Sequence, residues 1–304
     1  MTDLLSTLGA LITTPLMQRA LVVAILVGVS APVMGTYLVQ RRLALLGDGI
    51  GHVALTGVAM GWLAGSAAGL ADNDALAVPG AVVASVVGAV LIEVVRERGK
   101  TSGDVALALL FYGGIAAGVL LIGLAGGTTA NLNGYLFGSI AAVSTLDVWL
   151  TVALAAVLLG FGIGLRPALF ALCHDEEFAR AAGLPVRALN VLVAVMAALT
   201  VSVSMRVVGV LLVSALMIVP VAVAQLFARS FRSTMTTAMV IGVVVCVSGL
   251  TITFLYPLSP GATIVVLAIG LYAVVSVVRP LLGRPAHGDP HLDVGDDVEL
   301  REVV

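Results

Sequence analysis

The sequence predicts an all-α, polytopic integral membrane protein of about eight to ten transmembrane helices, with nine apolar runs long enough to count. Three observations predict it. Hydrophobic residues make up 60% of the 304 positions, and charged residues only 11%, against about 25% in a soluble domain. The mean hydropathy is +1.16, a surplus of apolar side chains that one globular core cannot hide. The apolar residues also fall in runs of about 20, the length a helix needs to cross a bilayer with its backbone hydrogen bonds satisfied internally.

The runs are 16–39, 46–69, 75–95, 104–125, 142–165, 188–204, 207–228, 235–255 and 261–278. The first ends at Arg41-Arg42. The second opens four residues beyond Arg42 and carries Asp48 and His52. The third ends at Arg96 and Arg98. Between the fourth and fifth lies Ala130–Ser139, rich in turn formers and suited to a re-entrant or surface segment. The fifth is followed by the longest connection, Arg166–Arg187. The sixth and seventh are separated only by Met205-Arg206, which predicts either a tight hairpin or a broken helix. Residues 1–15 form an N-terminal segment with no basic n-region of a cleavable signal peptide, 16–280 the membrane domain, and 281–304 a disordered tail rich in acids.

Lysine and arginine collect in cytoplasmic loops. With Arg41 and Arg42 inside and nine alternating spans, all of the 15 basic residues except Arg19 and Arg206 fall inside. The predicted layout is therefore N-terminus out and C-terminus in. A net charge of −2 excludes a nucleic-acid binder driven by basic charge. Cys173 and Cys246 have no CxxC spacing, so neither a disulfide framework nor a thiolate zinc site is indicated.

Ionisable side chains are costly inside a bilayer and mark function by default. Asp48 and His52, at i and i+4, share one helix face and can reach one cation. A carboxylate and an imidazole suit zinc, manganese or ferrous iron. Gly47, Gly49 and Gly51 interleave with them and predict a local helix break that frees carbonyls, as in transporters with discontinuous helices. The opposing reading is a solvated Asp48 near the cytoplasmic end, with glycines that only permit close packing.

In the cytoplasmic connection near 174–187, Asp175 can cap a short helix whose first turn holds Glu176 and Glu177. Gly183 ends it and Pro185 follows. With small residues such as Ala179, this helix can sit in a groove of a partner protein. In the seventh run, Pro220 kinks the helix and frees a carbonyl, and Ser214 and Gln225 are its polar members. In the tail, His287 and His291 among aspartates can take emerging metal, although a solvated acidic tail is the simpler reading. Glu93, Asp104 and Asp147 lie near span ends and read as interfacial, and His174 reads as a loop residue.

Three stretches then carry a resemblance. Arg41–Gly61, with its Gly47-Asp48 and His52, Asp175–Asn190 and Val208–Ala224 resemble, in this order, the permease subunits of bacterial ABC importers for zinc, manganese or iron. Gly51 stands where serine is usual and Thr56 where proline is usual. The resemblance implies a permease of the architecture shared with vitamin B12 and siderophore permeases, in the bacterial inner membrane. It implies a homodimer, a cytosolic ABC ATPase that grips the Asp175–Arg187 helix, and an extracytoplasmic metal-binding lipoprotein. Asp48 and His52 would be the metal contacts, with the metal as cargo and no permanently bound cofactor. No GxxxxGK[ST] phosphate loop is present, so ATP hydrolysis is expected from another polypeptide. The last four spans contain no Asp, Glu or His, which leaves zinc, manganese and iron open. An ABC permease for a metal chelate and a proton-coupled secondary metal carrier are the rival readings.

Overall fold

The structure, a computed structural model, describes residues 13–70, 73–98, 103–125, 129–139 and 143–281. His287 and His291, in the tail, lie outside the described residues. The described chain is helical throughout: α1 (Pro15–Gln40), α2 (Leu46–Ala67), α3 (Ala77–Glu97), α4 (Gly103–Leu124), α5 (Thr129–Phe137), α6 (Thr145–Gly164), α7 (Arg166–His174), α8 (Glu176–Ala181), α9 (Val186–Val208), α10 (Val210–Gln225), α11 (Phe231–Leu255) and α12 (Pro260–Leu281), with one 3-10 turn at Asn73–Leu76. Eight of these helices are long and apolar enough to cross a membrane, and α10 is a shorter apolar one. Each of the nine predicted apolar runs thus has its helix.

Three of the helices form the interior. α1, α2 and α9 are mostly buried, whereas α4 and α12 present most of their apolar surface outward, as expected of helices that meet lipid or another chain. α1 packs against α6, α9, α10 and α11, and α2 lies between α3 and α4. Tyr37, Met34, Leu38, Ile50, Leu216 and Met217 are among the largest fully buried side chains. Several buried hydroxyls are satisfied within their own helices: Thr36 Oγ1 donates to the Pro32 carbonyl (2.8 Å), Thr200 to Met196 (2.7 Å) and Ser202 to Ala198 (2.7 Å). In an apolar surround such bonds replace the missing water.

Three features differ from the sequence-based expectation. The sixth and seventh runs part at Gly209, not at Met205-Arg206. α9 continues through Val208, and Gly209 takes φ +94°, a conformation that only glycine adopts without strain. A Cβ there would also lie 2.5 Å from the Phe137 carbonyl carbon. The Arg166–Arg187 connection holds two helices, α7 and α8, where one was expected. The turn-rich Ala130–Ser139 is mostly helix α5, which folds back against α9, α10 and α12. Its Tyr135 ring is buried edge-on to Trp62, with centroids 5.6 Å apart.

Candidate functional site

α2 enters the bundle directly after a turn that Arg42 closes. Arg42 N–H bonds to the Val39 carbonyl (3.0 Å) and Leu43 N–H to the Leu38 carbonyl (2.8 Å). This is a Schellman ending for α1, and it places Arg42 at φ +57°, where glycine is usual. The next turn of chain delivers Asp48 and His52 to one face of α2.

The predicted helix break at Gly47, Gly49 and Gly51 does not occur: α2 is continuous from Leu46 to Ala67. The glycines instead vacate space for neighbours. A Cβ on Gly47 would lie 2.5 Å from Met217 Cε, one on Gly51 2.7 Å from Val210 Cγ1, and one on Gly49 3.4 Å from Leu110 Cδ2. Two of these partners belong to α10 and one to α4. Close approach, not unwinding, is what the missing side chains provide. Pro220 is likewise no break. α10 runs through it as helix, although the absent N–H leaves the Leu216 carbonyl without its usual intrahelical donor.

Asp48 is half-buried, and its Oδ1 accepts a hydrogen bond from Ser214 Oγ of α10 (3.3 Å). His52 is buried, 6% exposed, with its ring edge-on to Phe111 of α4 (centroids 4.6 Å, 82°). Its Nδ1 has no hydrogen-bond partner. A buried polar atom left unpaired costs about 1–3 kcal/mol, so an orphaned imidazole nitrogen calls for an explanation. Together these contacts set a carboxylate and an imidazole, one helical turn apart, on the side of α2 flanked by α4 and α10. Such a pair can hold a cation loosely. Among the described residues no group of three or more His, Cys, Asp or Glu lies together. Sequence reasoning noted Ser214 only as a polar member of its span; no local signal pairs it with a residue 166 positions away.

The second predicted element, the short helix, has the predicted local construction. Asp175 caps α8 by accepting from Phe178 N–H (2.9 Å), with Glu176 and Glu177 in the first turn. Gly183 takes φ +81°, and its N–H bonds to the Arg180 carbonyl while Leu184 N–H bonds to that of Ala179 (3.0 Å). That is again a Schellman ending. Ala179 is fully buried against the bundle while Phe178 is 64% exposed. Phe178 was not singled out from sequence, since burial separates the two neighbours.

Ion pairs tie α8 and its surroundings to the spans. The Arg41 side chain, only 6% exposed, pairs with Glu176 (3.8 Å). Glu176 also pairs with Arg180 (3.2 Å), and Arg187 at the start of α9 pairs with Glu97 at the end of α3 (2.8 Å). Glu97, Glu176, Arg180 and Arg187 border a cleft of about 1140 Å³ between α3, α8 and α9. Cys173 of α7 is partly buried nearby, and burial pushes its thiol up to about 11. His174 ends α7 as an exposed residue stacked on Phe170. Glu93 and Asp147, read as interfacial from their places near span ends, lie near the end of α3 and in the first turn of α6 and are buried there. Glu93 pairs with Arg96 (2.8 Å), and Asp147 forms a capping box with Ser144.

Residues 13–279 match the ABC 3 transport family. Relatives include the manganese transport system membrane protein MntC of Halalkalibacterium halodurans, 32% identical over 268 residues that cover 88% of each chain. Another is the chelated iron transport system membrane protein YfeD of Yersinia pestis, 31% identical over 264 residues, 87% of this chain and 85% of that one. The fold is similar to that in PsaBC from Streptococcus pneumoniae in complex with Fab, with a TM-score of 0.77, 29% identity and coverage of 90% of this chain and 95% of the other. It is also similar to a metal-chelate type ABC transporter in an inward-facing conformation (TM-score 0.61, 17% identity, 89% and 88% covered); that likeness concerns the fold alone, and it bears out the polytopic ABC-permease architecture expected from the sequence. This chain belongs to the ABC 3 transport family.

Proposed function

We propose that this protein is the permease subunit of an ATP-driven importer of a divalent metal ion: manganese, zinc or iron. The observation that carries the reading is His52, a buried histidine whose Nδ1 has no protein partner, on the same face of a membrane span as the half-buried Asp48. A passing cation explains both costs at once, since each group gains a partner when the ion is present. With only two ionisable donors the site is weak, and a conducted ion must be able to leave as well as enter. Membership of the family and the manganese and iron transport proteins among its relatives support a metal as cargo.

On this reading the end that carries Arg41, Arg96, Glu176 and Arg187 faces the cytoplasm, with the N-terminus outside, as the distribution of basic residues favours. α8 is the coupling helix. Its exposed Phe178 and acids Glu176 and Glu177 present the surface that a cytosolic ABC ATPase grips. An extracytoplasmic binding lipoprotein delivers the metal at the other end, and two copies of the permease enclose the path. ATP-driven motion of α8 rocks the spans and alternates access to Asp48 and His52. The permease itself is not catalytic.

The test is uptake by the complete transporter in liposomes, with manganese, zinc, ferrous iron and a ferric chelate offered separately. A bare divalent ion should enter, and only with ATP. Uptake without any ATPase would favour the proton-coupled carrier, and uptake of the intact chelate alone would favour the chelate permease.

A further inference from the structure

Asp48 and His52 offer a cation one carboxylate and one imidazole, whereas first-row divalent ions take four to six donors. No third acid, histidine or cysteine joins them among the described residues. The last four spans contain no Asp, Glu or His, so any side-chain donor from the second half of the chain has to be neutral.

We propose that Ser214 is that donor: its hydroxyl oxygen is a ligand of the transported ion and a determinant of which ion is chosen. The inference rests on the reading of Asp48 and His52 as metal contacts. Four observations carry it. Ser214 Oγ lies 3.3 Å from Asp48 Oδ1, across from the helix that holds His52. The side chain is 4% exposed, so its place is set by packing rather than by solvent. Nothing intervenes between the two helices there. A Cβ on Gly47 would be 3.7 Å from Ser214 Cβ, and Gly51 leaves room for Val210 in the same way. The break at Gly209 is the fourth. Because α10 starts only at Val210, Ser214 falls in its second turn, opposite the first turn of α2.

The chemistry fits a transported ion. A hydroxyl has one proton and two lone pairs, so a single oxygen can hold the Asp48 carboxylate and face a cation. It is a hard, neutral and weak ligand. With a carboxylate and one imidazole it makes an oxygen-rich set, which favours manganese or ferrous iron over softer ions. It also adds no charge that would trap the ion.

The test compares apparent KM for Mn2+, Zn2+ and Cd2+ in liposomes holding the complete transporter with unmutated permease, Ser214→Ala or Ser214→Cys. Replacing groups around a metal typically changes affinity about 10–100-fold. Ser214→Ala should therefore raise the KM for Mn2+ about tenfold and that for Zn2+ less. Ser214→Cys should move the preference toward Zn2+ and Cd2+, because a thiolate is the softer ligand. The ratio of KM values between metals is the deciding readout, since a merely structural role would weaken all three alike. Unchanged ratios in both variants would overturn the proposal; if Ser214→Ala does not assemble, Ser214→Cys decides alone. Failure of the underlying reading looks different: there His52→Ala transports as the unmutated protein does, whatever Ser214 carries.

Discussion

Gly35 is where the account can be tested by a single methyl group. Gly35 of α1 lies against the backbone of Met217 in α10, less than one turn along α10 from Ser214, which meets Asp48, and a Cβ there would meet the Met217 carbonyl oxygen and sit 2.5 Å from its carbonyl carbon. Carbon atoms in ordinary contact are about 3.5–4.0 Å apart. Backbone cannot rotate aside, so Gly35→Ala must push α10 away from α1 by about 1 Å, a gap that forfeits about a quarter to a half of the dispersion energy of the contacts it opens. Overpacking of this kind costs about 1–3 kcal/mol, and a backbone obstacle places it near the upper end. Exchanging glycine for alanine inside a helix returns about 1 kcal/mol. The net expectation is a loss of about 2 kcal/mol. Gly160→Ala in α6 is the control: nothing lies within 4 Å of its Cβ position, so it should gain up to about 1 kcal/mol. The assay is the thermal inactivation midpoint of the purified transporter in detergent, followed by metal uptake. Gly35→Ala should lower the midpoint, and it should also lower uptake because the 3.3 Å contact of Ser214 with Asp48 cannot survive such a shift. If Gly35→Ala is as stable and as active as Gly160→Ala, the backbone-to-backbone packing of α1 on α10 is wrong.

The other predictions concern the end of the bundle that carries α8. Glu176→Gln removes the carboxylate that pairs with the buried Arg41 guanidinium; because Glu176 is 41% exposed and Glu93 still acts on Arg41, the loss is limited to about 1 kcal/mol. Arg41→Glu and Glu176→Arg should each lower the inactivation midpoint, and combining them should restore at least half of the sum; simple additivity would remove the pair from the account. The Cys173 thiol, raised to about 11 by burial, stays protonated through pH 9, so alkylation at pH 8 should be far slower than that of a free cysteine and should recover its rate on denaturation. Equal rates before and after denaturation would mean that α7 does not cover this thiol.

Much of the architecture is legible in the sequence because its signals are local. The helix α8 is the clearest example: cap, first-turn acids, left-handed glycine and following proline all lie within eleven residues of one another, and each takes its expected place. The apolar runs and Asp48 with His52 on one face are equally local. What was not legible depends on partners distant in sequence. The spacing of Gly47, Gly49 and Gly51 suits both an unwound helix and a closely packed one; the choice is made by Met217, Val210 and Leu110, which fill the vacated space. The break between α9 and α10 was expected at Arg206, the one charge in the stretch, whereas helical backbone tolerates that arginine and Gly209 supplies the turn. Ser214 gained meaning only when α10 was seen to cross the first turn of α2.

The central claim is that the orphaned nitrogen of His52 and the carboxylate of Asp48 meet the ion on its way through. The most direct measurement is ATP-driven uptake of radioactive metal by the complete transporter in liposomes, comparing His52→Ala with the unmutated permease and normalising to the amount of assembled ATPase. The account predicts that uptake is abolished while the ATPase still binds, because His52 lies far along the chain from α8. Uptake at the unmutated level would contradict it and take His52 out of the path.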